Sequence, residues 1–139
     1  MPQERNGARL VLVVDDDPDI LQTLGLCLST EGYRVEMAAN GREALEMLSG
    51  ERPAIILLDL MMPVMDGWQF VAEMDRRGER AAPLLILSAD RAVQGHASKL
   101  RADAFLAKPF DLDELLVKVS QLTGGPNGGG QAMPKARTG

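Results

Sequence analysis

The fold is decided by residues 55–67, which run Ile55-Ile56-Leu57-Leu58-Asp59-Leu60-Met61-Met62-Pro63-Val64-Met65-Asp66-Gly67. The first four residues are all apolar, which predicts a strand buried on both faces, as in a parallel sheet. Asp59 comes where this strand should end, and Pro63 and Asp66-Gly67 predict a loop. In open α/β sheets, ligands bind at the carboxyl ends of the strands. The sequence therefore predicts that Asp59 faces a binding crevice.

Three further segments repeat this pattern of an apolar strand followed by a polar side chain. They are Leu10 to Val14 before Asp15-Asp16-Asp17, Leu84 to Leu87 before Ser88, and Phe105 to Ala107 before Lys108-Pro109. A single aspartate after a strand is usually an ordinary loop residue. Four strands that end in two aspartates, one aspartate, a hydroxyl and a lysine, in this order and spacing, are a much more specific signal.

With these segments the sequence resembles the receiver domains of bacterial two-component response regulators, of the single-domain type similar to the chemotaxis response regulator. The resemblance covers about residues 8 to 123 and rests on Val13 to Asp17, Gly32 to Val35, Asn40 to Leu45, Asp59 to Gly67, Ser88-Ala89 and Lys108 to Phe110. It implies a doubly wound, flavodoxin-like α/β fold, in which five helices flank a five-stranded parallel sheet of order 2-1-3-4-5.

Strand and domain boundaries follow from the residue pattern. Tyr33 to Met37 alternates apolar and polar residues, which independently predicts that the second strand lies at an edge with one solvated face. The glycine-rich segment after Thr123 cannot pack into a core. We expect a flexible N-terminus over residues 1–8, the receiver domain over 9–123 and a disordered tail over 124–139.

Composition limits the function classes. At 139 residues, 45% of them hydrophobic and 25% charged, the chain suits one soluble globular domain. Its net charge of −5 argues against a nucleic-acid surface. The single Cys27 excludes an internal disulfide and is typical of a reducing compartment. Neither a signal peptide nor a membrane-spanning run is evident, so we expect a cytoplasmic protein without membrane contact.

The chemistry follows from crowding Asp15, Asp16 and Asp59 at one edge of the sheet. Two carboxylates about 4 Å apart repel each other by roughly 4 kcal/mol at an effective dielectric constant of 20. Either one carboxyl group takes a proton, or a divalent cation binds among them. All-oxygen ligands favour Mg²⁺ over zinc or copper. The resemblance implies that Asp16 and Asp59 ligate Mg²⁺ directly, that Met61 supplies its backbone carbonyl, and that Asp15 acts through water.

The resemblance also implies roles in phosphoryl transfer. Asp59 would accept a phosphoryl group from a histidine kinase or histidine phosphotransfer protein, while Lys108 pairs with one phosphoryl oxygen and Ser88 donates to another. Ser88 and Phe105 would form the switch that signals to an output protein, which the sequence does not identify. The chain would be a signalling module that promotes its own phosphorylation and dephosphorylation, rather than an enzyme.

Several alternatives and departures accompany this hypothesis. A flavin binder would need a phosphate-cradling first loop instead of three aspartates. A dehalogenase-type phosphatase would need a second aspartate where Met61 stands. A scaffold receiver that binds partners without phosphorylation has no need of the full Asp-Asp-Asp-Ser-Lys set. Compared with the family pattern, the segment from Ser88 to Lys108 is slightly short, Arg101 replaces a frequent glycine, and Phe105 lacks the hydroxyl of the usual tyrosine.

Overall fold

The computed structural model describes residues 7–80, 82–89 and 93–127, except for the side chains of residues 93, 94, 96 and 97. Strands and helices alternate along these ranges. They are β1 (Leu10–Val14), α1 (Pro18–Thr30), β2 (Arg34–Ala38), α2 (Gly41–Leu48), β3 (Ile55–Asp59), α3 (Gly67–Arg77), β4 (Leu84–Ser88), α4 (Val93–Leu100), β5 (Ala104–Ala107) and α5 (Leu112–Thr123). The strands form one parallel sheet of order β2-β1-β3-β4-β5. The predicted fold class and strand order are confirmed.

The core has two halves, one on each face of the sheet. All residues of β1, β3 and β4 are buried, as expected for strands covered on both faces. Alternate side chains of these strands meet α2, α3 and the end of α4 on one face, and α1 and α5 on the other. This sandwich fixes the three central strands, and therefore the positions at which their carboxyl ends deliver side chains.

The edge position of β2 is confirmed, although its bounds differ by one residue from the sequence prediction. Glu36 and Met37 are exposed, while Ala38 at its end is buried. Tyr33, expected to begin the strand, lies just before it, and its side chain is buried with the hydroxyl 3.3 Å from that of Thr123. Tyr33 thus belongs to the half of the core that contains α1 and α5, and the strand itself begins at Arg34.

Polar side chains cap the helices that begin beside the carboxyl ends of the strands. Asp17 accepts from the N–H of Asp19 at the start of α1 and is followed by a proline, a pair of residues typical of a helix N-terminus. Asp66 and Gln69 form a reciprocal capping box at the start of α3. Asn40-Gly41 is a dipeptide typical of turns, but here Asn40 is the N-cap and Gly41 the first residue of α2. α1, α2 and α3 therefore each begin at a capped residue in the loop that follows β1, β2 or β3.

Residues 124–127, at the start of the predicted tail, are bonded to the start of the domain, and the tail boundary itself stays a prediction. The backbone N–H of Arg9 donates to the carbonyl of Pro126 at 2.8 Å, and Ala8 pairs with Asn127 in an antiparallel bridge. These backbone bonds attach residues 124–127 to the start of β1, which composition alone does not reveal. The rest of the predicted tail, residues 128–139, and residues 1–6 of the predicted N-terminus lie outside the described residues.

The end of α4 explains how the chain accommodates Arg101. This residue has φ 57°, the left-handed conformation that usually follows a helix and favours glycine. The guanidinium of Arg80 donates to the carbonyls of Leu100 at 2.6 Å and Arg101 at 3.1 Å, and pairs with Asp75 at 3.0 Å. Arg80 therefore satisfies the last carbonyls of α4, so the helix ends here despite the non-glycine residue.

None of the helices in the described ranges is both long enough and apolar enough to cross a membrane.

Candidate functional site

The predicted site residues meet at the carboxyl edge of the sheet. Asp15 follows β1, Asp59 ends β3, Ser88 ends β4 and Lys108 follows β5. The parallel register places Asp59 beside Leu87, so neighbouring strands end at nearly the same level. The structure therefore brings together four side chains that lie far apart in the sequence.

The three predicted carboxylates form one cluster. Asp15, Asp16 and Asp59 can each offer one carboxylate oxygen such that all three lie within 4.8 Å of one another. Asp15 is fully buried and Asp59 is only 4% exposed, whereas Asp16 is exposed to solvent. Two carboxylates therefore have little room to move apart, and the third leaves the cluster open on one side. An all-oxygen cluster of this kind suits a hard divalent cation such as Mg²⁺.

Lys108 is the ammonium that the structure places in this cluster. Its Nζ lies 2.7 Å from Asp15 Oδ2 and 3.6 Å from Asp59 Oδ2. The sequence hypothesis assigns Lys108 to a phosphoryl oxygen, yet here its nearest partner is Asp15. Among the described residues, one ammonium faces three carboxylates, which leaves the ionised cluster with an excess of negative charge that a divalent cation would offset.

Backbone amides hold the two buried carboxylates in place. Asp15 Oδ1 accepts from the N–H of Asp17 at 2.9 Å, and Asp59 Oδ1 accepts from the N–H of Met61 at 3.2 Å. The side chain of Met61 points into solvent and is 65% exposed. Met61 therefore contributes its backbone N–H to the site, while the ligand role that the resemblance implies for its carbonyl stays a prediction.

Burial raises the pKa of the Asp59 carboxyl above its ordinary value of 3.8, and repulsion from Asp15 adds to the rise. The ammonium of Lys108 and the amide of Met61 oppose this rise, while Asp16 contributes to it weakly. The folded protein without a cation therefore resists ionising the carboxyl at the end of its central strand. A positive charge brought into the cluster would favour the carboxylate.

The raised pKa predicts how Asp59 affects stability. Because the folded-state pKa lies above the unfolded one, this group stabilises the fold below the unfolded pKa, and the contribution is lost as pH rises through the folded pKa. We expect Asp59→Asn to raise the free energy of unfolding of metal-free protein at neutral pH, because the variant no longer has to ionise a buried carboxyl beside Asp15. The advantage should shrink as pH falls. Urea denaturation in EDTA across this range measures it, and an advantage that grows towards acid would contradict the prediction.

The two predicted switch residues lie on adjacent strands. Ser88 is fully buried, and its backbone carbonyl accepts from the N–H of Lys108 at 2.8 Å. Phe105 is half-buried and pairs in register with Ile86. Since side chains alternate along a strand, Ile86 and Ser88 face the same side of the sheet. Phe105 also lines an open groove of about 830 Å³ between α4, β5 and α5. Their role as a switch stays a prediction.

Two glycines beside the site have a packing role that the sequence did not predict. A Cβ on Gly67 would lie 2.7 Å from the carbonyl oxygen of Asp59, and one on Gly41 would lie 2.8 Å from Met65 Cγ. Both stand in Asn-Gly or Asp-Gly pairs, which a single sequence presents only as turn signals. The close backbone approach that requires them is visible only in three dimensions.

The fold and the carboxylate cluster together define a receiver module. The model of the response regulator receiver domain matches residues 11–120, and the chain belongs to this family, which acts in two-component signalling. The response regulator MprA of Mycolicibacterium vanbaalenii is 40% identical over 114 residues, which cover 81% of this chain and 49% of that protein. The chain thus spans about half the length of the curated relatives that it matches.

Solved structures agree with this assignment. Response regulator TrrA of Thermotoga maritima has a TM-score of 0.72 and 36% identity, over 82% of this chain and 98% of that one. The receiver domain of the sensor histidine kinase PA1611 of Pseudomonas aeruginosa has a TM-score of 0.75 and 30% identity, over 85% and 99% of the two chains. Both similarities extend over nearly the whole of the solved domain.

Proposed function

We propose that this chain is a phosphoacceptor receiver whose Asp59 takes a phosphoryl group from a phosphohistidine on a histidine kinase or histidine phosphotransfer protein. The observation that carries the proposal is the state of Asp59: a buried carboxyl with a raised pKa, crowded by two further carboxylates and within 3.6 Å of an ammonium. A carboxyl in such an environment is a candidate functional group, because a purely structural residue gains nothing from this repulsion.

In the transfer, one Asp59 oxygen forms a bond to phosphorus while the phosphorus–nitrogen bond of the donor breaks. The electron pair of that bond goes to the imidazole nitrogen, which takes up a proton. Lys108 is close enough to leave Asp15 and pair with an oxygen of the new phosphoryl group. Ser88, at the end of the neighbouring strand, supplies a hydroxyl to another oxygen.

The donor set fits Mg²⁺, because three carboxylates with one open side give oxygen ligands and leave room for water. Asp16, Asp59 and the carbonyl of Met61 would hold the cation, and Asp15 would support it through water. A bound cation neutralises charge that develops on the transferred group. TrrA was solved in complex with Mg²⁺ and BeF, and the PA1611 receiver with magnesium coordinated in its active-site cleft.

The output of the module would be a protein partner, selected by a surface that responds to phosphorylation. The groove beside Phe105 is the candidate for this surface, because Phe105 lies on β5, the strand that pairs with β4, and Ser88 ends β4. A shift of the Ser88 hydroxyl towards the phosphoryl group would open space that the half-buried Phe105 ring can enter. The ring would thereby change the shape of the groove.

Intact-mass analysis after incubation with acetyl phosphate and Mg²⁺ tests the proposal. We expect an increase equal to one phosphoryl group, abolished by EDTA and reversed under conditions that hydrolyse acyl phosphates. A phosphorylated histidine phosphotransfer domain serves as a second donor. If neither donor adds mass, the chain is a scaffold receiver and the proposal is wrong.

A further inference from the structure

The loop that carries Met61, residues 60–66, is held at both ends by the N-terminus of a helix. The N–H of Gly67, first residue of α3, donates to the carbonyl of Leu60 at 3.0 Å. The N–H of Gly41, first residue of α2, donates to the carbonyl of Met65 at 2.9 Å. The first N–H groups of a helix have no partner within the helix, so both are available to fix the loop.

Between these two bonds the loop adopts a strained conformation. Val64 has φ 67°, which is rare for a β-branched residue, and its side chain is 73% exposed. The N–H of Met65 donates to the carbonyl of Pro63 at 2.7 Å and closes a tight turn around Val64. Since its exposed side chain gains little from burial, this conformation depends on the bonds that surround it.

Gly41 comes closer to the loop than any side chain would permit. A Cβ there would lie 2.8 Å from Met65 Cγ, 2.9 Å from Phe70 Cβ and 3.0 Å from the carbonyl oxygen of Met65. Real Cβ atoms essentially never approach below 3.0 Å, so a larger residue would push α2 and the loop apart. The absence of a side chain thus sets the separation of these two elements.

The start of α2 is itself fixed to the other side of the carboxylate cluster. The Asn40 side-chain oxygen accepts from the N–H of Glu43 at 2.9 Å, and the Glu43 carboxylate accepts from the N–H of Ala39 at 2.8 Å. The preceding residue, Ala38, accepts from the N–H of Asp15 at 3.0 Å. A continuous chain of short bonds therefore runs from Asp15 to the first turn of α2, and Gly41 continues it to the Met61 loop.

We propose that Gly41 is a positioning residue for the metal centre, although the atoms nearest to a Cβ at this position belong to Met65 and Phe70 and not to a proposed ligand. It sets the distance between the segment that carries Asp15 and Asp16 and the loop that carries the Met61 carbonyl. This inference rests on the proposed function, because it assumes that these groups bind Mg²⁺ together. It predicts that metal affinity depends on a residue in α2.

Magnesium titration followed by amide NMR compares wild type with Gly41→Ala. We expect Gly41→Ala to bind Mg²⁺ about ten-fold or more weakly, as when other groups that orient metal ligands are lost. Gly25→Ala is the matched control. A Cβ at Gly25, within α1, meets only the flexible end of Met37, with Sδ at 3.3 Å, so wild-type affinity should persist.

A second variant separates positioning from simple loss of stability. Gly41→Ala/Met65→Ala removes the closest clash, with Met65 Cγ, and keeps the backbone bond, but leaves the clash with Phe70 Cβ, so its affinity should lie between those of Gly41→Ala and wild type. If Gly41→Ala does not fold, the double variant is titrated in its place. Val119→Ala, a cavity in the opposite half of the core, lowers stability without contacting the loop and should leave Mg²⁺ affinity unchanged.

Two results would overturn the inference alone: wild-type affinity in folded Gly41→Ala, or an equal loss of affinity in Val119→Ala. If wild type itself bound no Mg²⁺, the metal part of the proposed function would fail, and the inference with it. The wild-type titration therefore distinguishes the two failures.

Discussion

Asp59→Asn should abolish covalent phosphorylation of the protein while leaving it folded. Asparagine has nearly the same shape, and its side-chain oxygen can still accept from the N–H of Met61, but its amide is not a nucleophile towards phosphorus. We expect no mass increase with acetyl phosphate and Mg²⁺, even after incubation long enough to label wild type fully. Intact mass with circular dichroism of the same sample measures labelling and folding together.

The control for this experiment is Asp19→Asn, which removes an exposed carboxylate from the first turn of α1 but none from the cluster. It should label as wild type does. Undiminished labelling of Asp59→Asn would instead move the phosphoacceptor to Asp15 or Asp16. Peptide mapping of the reduced acyl phosphate would then identify the residue.

The sequence predicted the central strands well because their burial leaves a simple pattern. β1 has the predicted bounds, Leu10–Val14, and β3 differs only by including Asp59. A strand covered on both faces must be apolar at consecutive positions, and its end is visible where a polar residue interrupts the run. The order of the strands in the sheet was predicted on another basis. It came from the family resemblance, and only the edge position of β2 followed from its own residues.

The sequence did not predict which side chains within the site contact each other. The sequence places Lys108 and two acidic segments at one edge of the sheet, but the nearest carboxylate depends on side-chain distances. Lys108 contacts Asp15 at 2.7 Å, closer than Asp59 at 3.6 Å. The bond from Gly41 to Met65 was likewise hidden, because the loop conformation that creates it has no pattern of its own. Such contacts depend on the assembled fold.

The short segments at the ends of elements show the same limit. Glycines after α5 predicted disorder, yet residues 124–127 bond to the start of β1 through their backbone, which is independent of side-chain type. Arg101 adopts the conformation expected of glycine because Arg80, twenty-one residues earlier, donates to its carbonyl. In both places a long-range hydrogen bond overrides local preference.

Lys108→Met should destabilise metal-free protein by about 3 kcal/mol at neutral pH, near the lower end for breaking a buried ion pair. The variant keeps an apolar stem but leaves Asp15, which is fully buried, without its ammonium at 2.7 Å. In addition, the ammonium no longer offsets the repulsion among the three carboxylates. Urea denaturation in EDTA measures the loss, and Lys99→Met, at an exposed position in α4, should change stability by less than about 0.5 kcal/mol.

A double variant separates two possible causes of this loss of stability, the unpaired charge of Asp15 and the lost packing of the lysine stem. Adding Asp15→Asn to Lys108→Met removes the uncompensated charge, so the double variant should be more stable than Lys108→Met alone. Mg²⁺ should also stabilise Lys108→Met by more than it stabilises wild type, because the cation replaces the missing ammonium and no longer competes with it. If the double variant were no more stable than Lys108→Met, and Mg²⁺ had equal effects on both proteins, packing would account for the loss. The Asp15–Lys108 pair would then not be what stabilises the metal-free site.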